Sequence, residues 1–197
     1  MSDKQTRSKI VEAADQMFYE QGFEHTSFTQ IAQAVGISKG NFYYHFKTKN
    51  DILDAVIQLR SQRTQEMLDS WEVEGKTAEE RILCFVKILI RNQSKIKLFG
   101  CPVGTLTTEL SKLNHRAQPE ANAIFTLFRN WLAEQFTQLG RKKGADSLAM
   151  HVLSFSQGVA TLAQAFEDET FIQNEVSQIT QWLSNETALN EQAKEAN

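Results

Sequence analysis

The sequence predicts an all-α chain of about nine helices, the first three short and closely spaced, the rest forming a larger helical body. Three observations predict it. The 197 residues hold only two prolines and nine glycines, and few Val/Thr-rich alternating runs that would read as strands. Apolar residues recur at helical spacing in segment after segment. Ser, Thr and Gly stand where helices are capped.

The first helix, Arg7 to Gln21, carries Ile10, Ala13, Ala14, Met17 and Phe18 on one stripe and stops at Gly22. Ser27 with Gln30 makes a capping box for the second, in which Phe28, Ile31, Ala32 and Val35 share a face. Gly36 ends it with a left-handed cap, and Ser38, two positions on, caps the third. There Phe42 and Phe46, at i and i+4, go to the core and leave Lys39, Gly40, Asn41, Tyr43, Tyr44 and His45 facing outward. Thr48, with Asp51 three residues later, caps a long fourth helix, 49–71, whose apolar face runs from Ile52 and Leu53 to Leu68 and Trp71.

Thr77 and Glu80 form another capping box, opening a helix through Ile82 to Ile90 that the more polar stretch from Arg91 to Gly100 ends. Pro102 and Pro119 each suit a first helical turn. The first opens a helix with Val103, Leu106, Leu110 and Leu113, the second one whose apolar residues run from Ile124 to Leu139. Gly140 to Gly144 is a connecting loop, and helices over Ala145 to Phe166 and Thr170 to Asn185 complete the fold. The expected division is a domain over 1–50, a domain over 51–185 joined to it by the fourth helix, and a polar tail, 186–197.

With 41% apolar and 23% charged residues the composition is that of a globular protein with a full core. No apolar run approaches the length of a membrane span, so the expected location is cytoplasmic and no membrane partner is expected. Cys84 and Cys101 have no CxxC spacing and no clustered histidines, which indicates neither a zinc site nor a disulfide framework. His25, His45, His115 and His151 are scattered, no Ser/His/Asp, HExxH or paired-carboxylate arrangement occurs, and neither catalytic residues, metal nor cofactor is expected.

The third helix concentrates donors and aromatics on one surface, which is the chemistry of DNA reading. Net charge works against this, at −3 for the chain. Its distribution restores part of the case: residues 1–50 carry Lys4, Arg7, Lys9, Lys39, Lys47 and Lys49 against five acids, whereas the remainder is acidic. Binding must therefore rest on local placement.

The run from Ser38 to Lys49, Ser-Lys-Gly-Asn-Phe-Tyr-Tyr-His-Phe-Lys-Thr-Lys, closely resembles the helix-turn-helix of TetR-type (tetracycline-repressor-like) transcriptional regulators. Tyr-Tyr-His-Phe before a lysine pair is restrictive, unlike a bare helix-glycine-helix pattern. The resemblance is strong over about residues 7–56; beyond that it rests on helix number and spacing. It implies an N-terminal three-helix DNA-binding domain and a C-terminal ligand-binding and dimerisation domain. It also implies a homodimer on a pseudo-palindromic operator in double-stranded DNA, released by a small-molecule effector, with an activator on the same fold left open. Carried over by position, Lys39, Gly40 and Asn41 face bases after the cap at Ser38. Tyr43, Tyr44 and His45 meet phosphates and thymine methyls, Lys49 clamps a phosphate at a helix N-terminus, and Thr26 and Ser27 hold the opposite strand.

Cys101 sits just before a proline that starts a helix, where the helix dipole favours a thiolate. A Gly-Cys-Pro here also resembles a subset of the family, in which such a thiol can meet electrophiles or oxidants. A small buried space-filler is the other account of it, and a helical thiol enzyme or redox protein using Cys101 is the alternative function. Phe99, Phe125, Phe128, Trp131 and Phe155 are candidate lining for a hydrophobic or planar effector, or plain core. His151, Phe155, Gly158, Ala160, Leu162 and Ala165, with a stripe from Phe171 to Trp182, are candidates for a four-helix dimer interface, or for packing within the chain.

Overall fold

The computed structural model describes residues 3–195, except the side chains of residues 169 and 189–195. The described residues are all helical or in turns and contain no strand. In chain order the helices are α1 (Asp3–Gln21), α2 (Phe28–Val35), α3 (Lys39–His45), α4 (Lys49–Glu74), α5 (Ala78–Arg91), α6 (Gln93–Phe99), α7 (Pro102–Lys112), α8 (Gln118–Gln138), α9 (Ala145–Phe166) and α10 (Glu169–Glu195). Nine coincide with the expected segments. The tenth, α6, lies where the sequence suggested only a helix end; Asn92 breaks the helical path and Ile96 buries the short segment that follows. Helix α10 continues through most of the segment expected to be a tail, with residues 196 and 197 outside the described range.

The chain divides into two compact units, one running to Thr64 and including Pro102–Ile124, the other comprising Gln65–Cys101 and the chain from Phe125. Beside the expected division at 50/51, α7 and the turn that follows it meet the N-terminal helices and α4 through specific polar contacts. Glu109 of α7 accepts the Phe23 and Glu24 amides, His115 bonds Asn50, and Arg116 pairs with Asp54. No sequence periodicity reports such long-range contacts.

In the first unit Ile10, Ala14 and Phe18 of α1, Ile31 of α2, Phe42 and Phe46 of the α3 segment, and Ile52, Leu53 and Val56 of α4 are all buried. Leu106 and Leu110 of α7 complete this core. Each of these side chains larger than alanine contributes about 1.5–3 kcal/mol on burial. In the second unit Trp71 lies tilted against Trp131 (5.6 Å between centroids), and Phe85 meets Trp71 at 6.3 Å and Phe128 at 5.3 Å. Beside this cluster Glu72 accepts from Trp131 Nε1 (2.8 Å) and Gln135 Nε2 (2.7 Å) and pairs with Arg81 (2.9 Å). Gln135 is thereby satisfied although fully buried. Helix α10 packs on α5 and α9 through Ile172, Val176, Ile179 and Leu183.

Candidate nucleic-acid interface

Three caps fix the geometry of α2, α3 and the start of α4. The Ser27 hydroxyl accepts from Gln30 N while the Gln30 side chain accepts from Ser27 N, a complete capping box. Gly36 is left-handed at φ 72°, and the Ile37 amide reaches back to the Ala32 carbonyl at 3.1 Å, which closes α2 tightly. Ser38 accepts from Asn41 N, and Thr48 accepts from Asp51 N. The Asp51 carboxylate in turn accepts from Thr48 N and Lys47 N, and the Thr48 backbone bond is the main cause holding its carboxyl below the usual aspartate range.

Phe42 and Phe46 turn inward as expected, with Phe28 and Phe42 rings 5.0 Å apart. Lys39, Gly40 and Asn41 are exposed, Tyr44 is 67% exposed, and Tyr43 stands half out with its ring edge against Phe28 at 5.5 Å. A Cβ added at Gly40 would meet nothing within 4 Å, and its backbone is not left-handed. Glycine in a helix costs about 0.5–1 kcal/mol relative to alanine. Among the described residues nothing accounts for that cost, whereas a DNA backbone or base edge brought against the helix would. Gly40→Ala is therefore expected to raise thermal stability by roughly 0.5–1 kcal/mol while weakening operator binding. Equal operator affinity for the two proteins in a titration would remove this account of Gly40.

Four expected DNA contacts have their side chains engaged within the chain. Thr26 is only 2% exposed, and its hydroxyl donates to the Gly22 carbonyl at 2.7 Å. The His45 side chain is 4% exposed, with Nδ1 3.6 Å from the Asp3 carboxylate and its ring edge-on to Tyr44. Position 45 is three residues after the buried Phe42 and so shares its face, a signal present in the spacing. Lys49 points its ammonium at the Glu24 carbonyl (2.9 Å) and over the Phe23 ring (4.4 Å). Its burial there lowers the ammonium pKa, opposed by the charges of Glu24 and Glu109. Ser27 stays exposed but spends its hydroxyl on the cap. The neighbouring Lys47 ammonium donates to the Tyr43 carbonyl at 2.6 Å. A cation the sequence did not single out, Arg7 of α1, lies 4.9 Å over the Phe46 ring.

In the second unit, an open cleft of about 410 Å³ between α8 and α9 is lined by Phe125, Thr126, Arg129, Met150, Leu153, Ser154 and Gln157. Of the expected lining residues only Phe125 is in it. Phe128 is buried in the tryptophan cluster, Trp131 is held by Glu72, and Phe99 and Phe155 are half-buried elsewhere. Arg129, at the rim, is held by a two-point pair with Asp146 (2.6 and 2.7 Å). Cys101 is half-buried immediately ahead of Pro102, the first residue of α7, while Cys84 is buried and desolvation pushes its thiol up. Among the described residues no group of His, Cys, Asp and Glu is arranged to hold a metal ion. None of the described helices is long and apolar enough to cross a membrane.

Known proteins share this arrangement. The pattern of bacterial regulatory proteins of the tetR family matches residues 10–56, and that of the LmrA/YxaF-like transcriptional regulator C-terminal domain matches residues 78–178. The HTH-type transcriptional regulator LmrA of Bacillus subtilis is 32% identical over 71% of this chain and 76% of its own length. A regulator from the lacX 3′ region of Lactococcus lactis is 30% identical over 69% of this chain and 70% of its own. A TetR transcriptional regulator from Legionella pneumophila superposes with a TM-score of 0.78 at 27% identity, over 88% of this chain and 94% of the other. The N-terminal helices that the motif picked out and the C-terminal helices that it did not both match one lineage: the chain belongs to the TetR family of transcriptional regulators.

Proposed function

We propose that the chain acts as a homodimeric repressor whose paired α3 helices read a pseudo-palindromic operator and let it go when a small hydrophobic effector occupies the C-terminal unit. The observation that carries the DNA part is the cap geometry, which turns Phe42 and Phe46 inward and presents Lys39, Gly40, Asn41, Tyr43 and Tyr44 together. Ser38 contributes the α3 N-terminus, whose amides favour contact with an anion or base acceptor. The alternative of a thiol enzyme falls with the family, whose members are regulators. Cys101 keeps its proposed place as an electrophile- or oxidant-sensitive thiol ahead of α7.

The dimer rests on α9. Ala160, Ile172, Val176 and Ile179, candidates for the interface, are buried within the protomer instead. The outer face of α9 still shows Leu162 and Phe166, the last 75% exposed. Gly158 lies on α9 with open space around it and no left-handed backbone to require it. A second copy laid against this face buries those apolar groups and makes use of the missing side chain. The cleft lined by Phe125 and Met150 is the candidate effector site.

Retention of genomic fragments by the purified protein tests the proposal. Sequence-selective, salt-sensitive binding with a footprint of two half-sites related by two-fold symmetry is expected. Retention without sequence preference overturns the DNA reading, and a single protected half-site overturns the dimer.

A further inference from the structure

The backbone of Glu24 is held at both its N–H and its carbonyl by charged side chains from helices elsewhere in the chain. Its N–H donates to Glu109 Oε1 of α7 at 2.8 Å, and its carbonyl accepts from Lys49 Nζ of α4 at 2.9 Å. Glu109 Oε2 takes the Phe23 N–H at 2.9 Å, so one carboxylate closes on two successive amides of the α1–α2 turn. Gly22 makes the room: it is left-handed at φ +89°, and a Cβ there would stand 3.1 Å from Glu109 Oε1. The Phe23 ring is fixed as well, edge-on to Phe18 (5.2 Å) and His115 (5.3 Å).

Resting on the DNA-reading function proposed above, we infer that Glu109 is a positioning residue for operator recognition: by holding the Phe23 and Glu24 amides to α7 it sets where α2 and α3 are presented. The turn leads directly into the Ser27 cap, and α2 carries α3 through the tight Gly36 turn, so a displacement at residue 24 passes to the reading helix. Satisfying the Glu24 amide does not by itself call for a carboxylate, since Glu24 is exposed and water can bond its N–H. A negative charge in a DNA-binding unit also works against phosphate attraction, and Lys49 beside it offsets that. What water does not supply is a fixed direction from α7.

Full-length Glu109→Ala and Glu109→Gln proteins test this by amide exchange and by binding at one salt concentration to a selected operator fragment and to an unrelated fragment of equal length. In Glu109→Ala, exchange at Phe23 and Glu24 is expected to rise more than about tenfold while Ile31 and Phe42 keep their protection. Operator affinity falls about tenfold with unrelated binding unchanged. Glu109→Gln, which keeps one acceptor oxygen and folds if the alanine variant does not, falls between. An unchanged ratio of operator to unrelated affinity with the two amides deprotected overturns the inference and leaves the DNA reading intact. Equal losses on both fragments mean lost folding and equal gains mean a charge effect, and either overturns it too. A wild-type ratio near one overturns the DNA reading itself.

Discussion

Lys39→Ala is expected to weaken operator binding by about 1–3 kcal/mol, roughly ten- to a hundredfold, while leaving stability within about 0.5 kcal/mol of the parent. Lys39 is the first residue of α3, exposed, directly after the Ser38 cap. Two other cations of the motif are aimed elsewhere: the ammonium of Lys47 lies on the Tyr43 carbonyl and that of Lys49 on the Glu24 carbonyl. That leaves Lys39 as the long donor at the exposed N-terminal end of α3, where helix-turn-helix proteins meet base edges. Titrations over a salt series separate the two things it can do. If Lys39 reads a base, affinity for the operator falls and binding to unrelated DNA hardly changes; if it contacts a phosphate, both fall and the slope of log K against log salt drops by about one. Lys142→Ala, in the exposed loop between α8 and α9, serves as the control and should change neither. An operator affinity within twofold of the parent for Lys39→Ala would move base reading off this residue.

How far the interface could be read from sequence depends on how local each determinant is. The caps at Ser27, Ser38 and Thr48 involve residues three apart, and all three are present as expected. Burial of Phe42 and Phe46 follows from one helical period, and the same period applied to residue 45 would have turned His45 inward. Lys49 was out of reach of such reasoning, because its partner carbonyl is 25 residues away. The effector side was harder for a related reason. Aromatic side chains at helical spacing mark an apolar face without saying whether it closes on itself. Here Trp71, Phe85, Phe128 and Trp131 pack together, and the open cleft falls to Phe125 and the mixed polar and apolar residues of α9.

Four glycines make a complementary point about what structure adds. Gly36 and Gly22 are needed by the chain itself, through left-handed backbone. Gly40 and Gly158 sit in helices with nothing near their missing side chains, so each costs helix stability with no return inside the protomer. One lies on the face assigned to DNA and the other on the face assigned to a second copy. The sequence shows four glycines of similar appearance; only the surroundings sort them into those that shape the chain and those that leave room for something else.

Arg60→Ala is expected to cost about 3–5 kcal/mol of stability, because it breaks a buried charge network and leaves its acceptors behind. Arg60 is only 7% exposed. Its guanidinium meets the Asp15 carboxylate at 2.6 Å through Nε, the Asp15 carbonyl at 3.3 Å through Nη2, and the Pro102 carbonyl through Nη1. One planar group thus ties α4 to α1 and to the first residue of α7. Removing it leaves Asp15, with a side chain 18% exposed, to Arg63 alone at 3.2 Å, and the Pro102 carbonyl loses this donor. Arg63 is half exposed, so Arg63→Ala should cost under about 1 kcal/mol even though it touches the same carboxylate. Arg60→Lys should recover little, since an ammonium on a shorter reach cannot serve all three acceptors in the guanidinium plane. Urea unfolding of the three variants measures this directly. Similar losses for Arg60→Ala and Arg63→Ala would mean that burial does not set the strength of the Asp15 pairing, and losses under about 1 kcal/mol for both would mean that Glu109 of α7 and His115 and Arg116 of the turn after it hold that segment to the N-terminal helices without help from Arg60.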